Sequence, residues 1–197
     1  MSTDKQTLAF YDRKATDYAN LSPDDKPDQD LRAFMEQLPK GASVLDLGCG
    51  PGRSTALMRD AGFGVEAWDA SLGMAKQALD RFGIEVRLAT FEMLDAVDFY
   101  DGVWANFSLL HAPKSAFAGH LTRIQRALKP SGVLHLGLKL GEGEKRDSLG
   151  RFYSYFTKEE LNEALVAAGF AVSKTRIFEG TGLSGKPEPM ITLIAHA

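Results

Sequence analysis

The segment Val44-Leu45-Asp46-Leu47-Gly48-Cys49-Gly50-Pro51-Gly52 limits what this chain can fold into more than any other. A short apolar run, broken by one aspartate, feeds three closely spaced glycines. Arg53-Ser54-Thr55 and a helical stretch, Ala56 to Ala61, follow. Val44, Leu45 and Leu47 have the pattern of a strand buried on both faces. Glycines tolerate positive φ and let a ligand approach bare backbone. Ser54 or Thr55 is expected to cap the helix and leave its unpaired N–H groups facing the loop. The product is a strand–loop–helix cradle for a small ligand at the carboxyl end of a strand.

Spacing separates the ligands such a cradle can take. A phosphate-binding P-loop closes on Gly-Lys-[Ser/Thr], whereas Gly52 is followed by Arg53. The dinucleotide fingerprint needs its third glycine where Arg53 stands, and here it comes one place early. Asp46, just ahead of the loop, would repel a pyrophosphate and attract a cation such as an ammonium or sulfonium. The segment resembles motif I of the class I S-adenosylmethionine-dependent methyltransferases, in which D-x-G-x-G-x-G closes the first strand. That resemblance implies that Asp46, Gly48, Cys49, Gly50, Gly52 and Arg53 surround the cofactor.

Three later segments extend the resemblance. Gly64 to Asp69 reads as a second strand ending in an acid, and a carboxylate there can accept both hydroxyls of a ribose. Dinucleotide folds use the same device, so Asp69 alone does not separate the two cofactors. Asp69-Ala70-Ser71-Leu72-Gly73-Met74 resembles the family's D-x-S-x-x-M signature, which places Ala70, Ser71 and Met74 at the cofactor; Ser71 also reads as the N-cap of the next helix. Thr90-Phe91-Glu92 follows a third strand, at the position where the family flanks the adenine. Phe91 either contacts that ring or anchors the loop. Tyr100 to Asn106, with Phe107 and then Ser108-Leu109-Leu110-His111, resembles the motif around strand four that passes beneath the transferable methyl.

With 197 residues the chain supports one domain, burying roughly 70% of its unfolded surface. A formal charge of −3 argues against a nucleic-acid partner held through phosphates. No stretch approaches the roughly 20 apolar residues of a membrane helix, and Met1 to Lys5 lacks the apolar core of a secretory signal. A cytoplasmic enzyme, monomer or homodimer, with no membrane or nucleic-acid partner, is expected. The lone cysteine, Cys49, fits as a small buried residue of the glycine loop rather than a nucleophile. No Cys/His cluster has metal-ligand spacing, so no metal is expected.

Strands are expected near 43–47, 64–68, 85–89, 100–105, 133–138, 170–178 and 190–195. Helices are expected near 54–61, 72–82 and 114–128, and a capping box, Thr157-Lys158-Glu159-Glu160, opens another that runs to Ala168. Strands alternating with helices imply a mostly parallel sheet covered on both faces. The last two strands are joined without a helix and should pair antiparallel. The resemblance implies the rest: a Rossmann-like, doubly wound, seven-stranded α/β sheet with the last strand inserted antiparallel. Ahead of it, Leu8, Tyr11, Ala15 and Tyr18 recur at helical spacing, and Leu31, Phe34, Met35 and Leu38 stripe a second helix beyond a polar, Pro-bearing segment at 20–28. Tyr11-Asp12-x-x-Ala15-x-x-Tyr18 resembles the lid helix of small-molecule methyltransferases, whose tyrosines close over the cofactor; an amphipathic helix on the sheet edge is the other reading. The organisation expected is a helical lid at 1–40 on an α/β core at 41–197.

Methyl transfer is an in-line displacement in which the protein aligns the nucleophile, excludes water and takes a proton where the acceptor requires it. His111, just after strand four, is the candidate base, or else a pocket wall. In the loop 141–156, Arg146 and Arg151 are candidates to bind an anionic acceptor, with Tyr153 and Tyr155 as pocket walls; a solvated loop followed by core aromatics is the alternative. The function expected is S-adenosylmethionine-dependent methylation of a small-molecule acceptor. A non-catalytic S-adenosylmethionine-binding accessory protein and a nucleotide-dependent oxidoreductase are the competing readings.

Overall fold

The computed structural model describes residues 4–20, 28–183 and 185–197. Two helices, α1 (Lys5–Ala19) and α2 (Gln29–Met35), precede an alternation of β1 (Ser43–Leu47), α3 (Arg53–Asp60), β2 (Gly64–Asp69), α4 (Leu72–Phe82), β3 (Val86–Leu88), β4 (Tyr100–Asn106), α5 (Lys114–Ala127) and β5 (Leu128–Lys139). The polar segment expected between the first two helices lies mostly outside the described residues. A short pair of strands, β6 (Glu144–Arg146) and β7 (Phe152–Ser154), leads to α6 (Lys158–Ala167). The chain closes with β8 (Ala171–Thr181) and β9 (Pro187–His196).

The main sheet has seven strands in the order β3-β2-β1-β4-β5-β9-β8. β1 runs parallel to β2 and β4, and β9 lies antiparallel between β5 and β8. Chain order reverses between β1 and β4, which leaves a crevice at their carboxyl ends. Helices cover both faces. Phe117, Leu121 and Ile124 of α5 and Leu161 and Leu165 of α6 bury against Val103, Leu134 and Leu136 on one side. On the other, Leu31 and Phe34 of α2 and Met58 of α3 meet Val44 and Trp104. Each such aliphatic or aromatic side chain contributes about 1.5–3 kcal/mol by leaving water, so the strands that carry the site rest on a close-packed core.

Two local expectations are corrected. Helix α3 begins at Arg53 with Gly52 as its N-cap at φ 81° and no side-chain cap; Thr55 spends its hydroxyl on Asp46 instead. The stretch after β5 is no open loop but an antiparallel hairpin, with Glu144 facing Ser154 and Arg146 facing Phe152. Asp147 nucleates its turn, its carboxylate accepting from Leu149 N and Arg151 N at 2.9 Å each, an Asx turn that the sequence Asp-Ser-Leu-Gly advertises. The hairpin also adds two strands outside the seven of the main sheet. The Thr157 capping box forms as expected. Among the described residues no helix is long and apolar enough to cross a membrane, and no group of three or more His, Cys, Asp or Glu could hold a metal ion.

Candidate active site

A cavity of about 310 Å³ sits over the carboxyl ends of β1, β2 and β4, roofed by α1. Its floor is the glycine loop. The amides of Gly48 and Cys49 donate to Trp68 O at 2.8 and 2.9 Å, which pins the loop across β2. Gly48 has φ 82°, and a Cβ there would lie 2.3 Å from Ser108 Cβ, so the close pass of the chain leaving β4 demands glycine. Ser108 donates to Leu47 O at 2.6 Å and locks that pass.

Asp46 and Asp69 face the cavity beside the glycine loop. Asp69 accepts from Gly50 N and Ser71 N at 2.8 Å, one on each oxygen; a carboxylate has about four lone-pair sites, so capacity for two ribose hydroxyls remains. Asp46 is 2% exposed and accepts from Thr55 Oγ1 at 2.6 Å. Burial pushes its pKa up to about 7, and the nearby Asp69 charge adds to the rise against the Thr55 hydrogen bond. Burial raises Asp69 as well. Two acids strained toward neutrality in one cavity make a receptor for a cation, because bringing in positive charge restores both to the ionised form. Cys49, 8% exposed, has a pKa raised by burial, which makes it an inert part of the loop.

Helix α1 lies across the cavity and is held there by contacts to α4 and the residues just before it. Asp12 accepts from Ser71 Oγ at 2.6 Å and from Gly73 N at 3.0 Å. A Cβ on Gly73 would meet Asp12 O at 2.6 Å, so this glycine sets the contact distance. Lower down, Arg81 donates to Ala19 O and Asn20 Oδ1. Thus held, α1 presents Tyr11 and Tyr18, edge to face with ring centroids 5.6 Å apart, to the cavity.

The opposite wall is a side-chain network. His111 places Nδ1 2.7 Å from Phe152 O and Nε2 2.9 Å from the Tyr11 hydroxyl. A carbonyl only accepts, so Nδ1 carries the ring proton and Nε2 accepts from Tyr11. Removal from water lowers the His111 pKa to about 4 against that carbonyl bond, with Arg151 pushing the same way. The ring is neutral near pH 7. Arg151 Nη1 donates to the Tyr11 oxygen at 3.1 Å, while its Nε and Nη2 reach Asp147 Oδ2 at 2.9 and 2.6 Å. At the strand-four exit, His135 stacks on Trp104 at 3.7 Å and contacts Asn106 Oδ1 at 3.0 Å. Its Nε2–H therefore holds the amide oxygen and leaves the amide NH₂ for the cavity. Phe107 takes a left-handed φ of 54° at this point, the kind of local strain that collects at binding sites.

Of the residues expected around the cofactor, Tyr11, Tyr18, Asp46, Gly48, Cys49, Gly50, Arg53, Asp69, Ala70, Ser71, Met74, Thr90, Phe91, Asn106 and Phe107 line the cavity, as does His111. Gly52 does not: its α-carbon faces α4, where a Cβ would lie 2.8 Å from Ala78 Cβ. Glu92 does not either, because its charge faces His120 on α5. The four candidate acceptor residues stand behind the wall. Arg146 pairs with Asp4 at the start of α1, Arg151 is 2% exposed against Asp147, Tyr153 packs under Lys139 and beside His111, and Tyr155 donates to Glu188. The hairpin turns these side chains onto its own charges. Leu8, Ala89 and Ser108 also line the cavity, without any polar or glycine signal that could have marked Leu8 or Ala89.

Residues 44–132 match the family described as a methyltransferase domain. Malonyl-acyl-carrier-protein O-methyltransferase of Pseudescherichia vulneris is 31% identical over 132 residues, which cover 66% of this chain and 52% of that protein. The chain thus spans about half the length of that relative. In three dimensions, 1,6-didemethyltoxoflavin-N1-methyltransferase of Burkholderia thailandensis, solved with S-adenosylhomocysteine, superposes with a TM-score of 0.76 at 24% identity over 95% of this chain and 84% of that one. The cyclase SpnF gives 0.76 at 19% identity, over 100% of this chain and 97% of its own. Sheet order, glycine cradle and sequence match agree: residues 44–132 match a methyltransferase domain, and the fold is the one these methyltransferase structures share.

Proposed function

We propose that this protein is an S-adenosylmethionine-dependent methyltransferase acting on a small molecule in the cytoplasm, with α1 as a lid over the α/β core. One observation carries the reading: Asp46, buried at the end of β1, has its pKa pushed up to about 7 inside the cavity. A site built for a diphosphate has no use for that charge, whereas a cationic methyl donor relieves it. Asp46 would hold the ammonium of the amino-acid end against the bare backbone of the glycine loop, Asp69 the ribose, and Phe91 with Met74 the adenine. When bound, S-adenosylmethionine supplies an electrophilic methyl: the acceptor's lone pair bonds its carbon, and the carbon–sulfur pair stays on sulfur as a neutral thioether. The protein's own part is to exclude water beneath α1 and to align the acceptor.

Calorimetric titration with S-adenosylmethionine tests this reading. Binding must be about eightfold weaker at pH 6 than at pH 7.5, with proton release at the lower pH, because Asp46 ionises on binding. Asp46→Asn should reduce that pH dependence to the part that Asp69 contributes. No heat at millimolar ligand sinks the proposal.

A further inference from the structure

We propose that Tyr11 is a catalytic residue whose hydroxyl meets the acceptor's proton, with His111 behind it as the proton's resting place, and that the acceptor is a neutral protic group, a phenolic O–H or ring N–H. The inference rests on the methyltransferase reading above.

The geometry carries it. The His111 lone pair, at Nε2, is covered by the Tyr11 hydroxyl at 2.9 Å, so in this arrangement no acceptor reaches His111 without displacing Tyr11. The Tyr11 oxygen receives a hydrogen bond from Arg151, has the Tyr153 hydroxyl beside it, and gives its proton to an imidazole. The Arg151 and imidazole contacts polarise the O–H toward phenolate. Burial acts against ionisation of Tyr11, while Arg151 favours it. His111 in turn is set up to become a double donor, since Phe152 O already accepts from Nδ1. These residues come from α1, the turn after β4 and the hairpin, and Tyr11 and His111 both line the cavity.

The proton balance closes. As the acceptor X–H loses its proton, the X–H electron pair stays with X. The proton passes to the Tyr11 oxygen while the Tyr11 proton passes to His111 Nε2, leaving Tyr11 neutral and His111 an imidazolium. The site keeps its net charge, because one positive charge on His111 replaces the one lost from the donor. With a pKa near 4 in the closed site, the imidazolium then releases its proton to water when the products leave.

The charges at this wall select the acceptor class. Arg151 faces Asp147, Arg146 faces Asp4, and Lys139 faces Glu188. Each cation already has its carboxylate. Asp4 itself lines the cavity at this end, next to Thr7 and Leu8, and its pair with Arg146 leaves no net positive charge there for an anion. A carboxylate acceptor, such as a malonyl group offers, has no proton for Tyr11 to take and finds these three cations already paired.

Two measurements test the proposal on the whole protein. Nitrogen-15 spectra of histidine-labelled protein bound to S-adenosylhomocysteine should show His111 neutral at pH 7 and protonated on Nδ1, with Tyr11→Phe shifting the Nε2 resonance. An Nε2-protonated or charged ring overturns the relay. Turnover is then read as S-adenosylhomocysteine release with catechol and 2-hydroxypyridine as protic probes against malonate and succinate as carboxylates. The protic probes should react at least about tenfold faster. Tyr11→Phe should cut kcat by about 100-fold and His111→Asn by about tenfold, in the range for lost proton transfer, while both keep a cooperative thermal transition. Turnover of carboxylates alone, of no probe, or undiminished turnover by Tyr11→Phe overturns the assignment. Absence of S-adenosylmethionine binding in calorimetry would instead remove the methyltransferase reading.

Discussion

At the β1–β2 end the cavity is walled by backbone: Gly48, Cys49 and Gly50 amides, tied to Trp68 O and Asp69, all within one strand–loop–helix–strand unit. At the α1–hairpin end it is walled by side chains from far apart in sequence, Tyr11 with His111, Arg151 with Tyr11, and Phe152 N with Thr7 Oγ1. The first wall is rigid and offers negative charge to a cation. The second is assembled by ion pairs and hydrogen bonds between side chains of α1, the turn after β4 and the hairpin. The difference teaches that one cavity can combine a backbone cradle fixed by local sequence with a side-chain wall that depends on docking.

Substitutions can break this contrast, the largest effect first. Gly48→Ala should lower S-adenosylmethionine affinity by more than about 100-fold and depress the thermal midpoint, because left-handed φ alone costs about 1–3 kcal/mol and the new Cβ collides with Ser108. Calorimetry and thermal melts check both. Asp46→Asn should weaken S-adenosylmethionine by about 30-fold yet stabilise the ligand-free protein by about 2 kcal/mol at pH 8, since a raised carboxyl pKa costs folded stability once the group ionises. A ligand-free protein that loses stability on this change would contradict the orphan-charge account.

The pH profile sharpens the comparison. His111 and His135 have pKa values lowered to about 4 and about 3 by burial. The unfolded chain then binds more protons below pH 6.5, so their contribution is full above 6.5 and is lost as pH falls toward 4, by up to about 1.4 kcal/mol per unit for each ring. Asp46 acts oppositely between about 4 and 7. Denaturant melts should therefore show His111→Asn flattening the acid side and Asp46→Asn steepening it. The smallest effect belongs to Arg146→Ala. Its pair with Asp4 is exposed, so amide exchange in the first turn of α1 should rise only a fewfold, with the β1–β2 loop unchanged.

The cradle was legible because its requirements are local. Asp46, the glycines and Asp69 stand at spacings that strand and turn geometry impose, and the sheet order followed from the family pattern they resemble. Gly52 and Glu92 misled because a motif marks positions, not the direction a Cα or carboxylate faces. The hairpin was missed although Asp147 and Gly150 supply turn chemistry, since a run of mixed charges masks short strands. Arg146 and Arg151 read as free cations because nothing in the sequence shows that Asp4 and Asp147 meet them.

The chain by itself determined the strand–glycine-loop–helix cradle and its preference for a cation, since backbone conformation and a neighbouring carboxylate act over a few residues. Only the tertiary structure decided what stands opposite that cradle. Tyr11, His111 and Arg151 lie more than 30 residues from one another along the chain, with Tyr11 and His111 separated by 100, and a hydrogen bond between such groups exists only after sheet, helix and hairpin have packed.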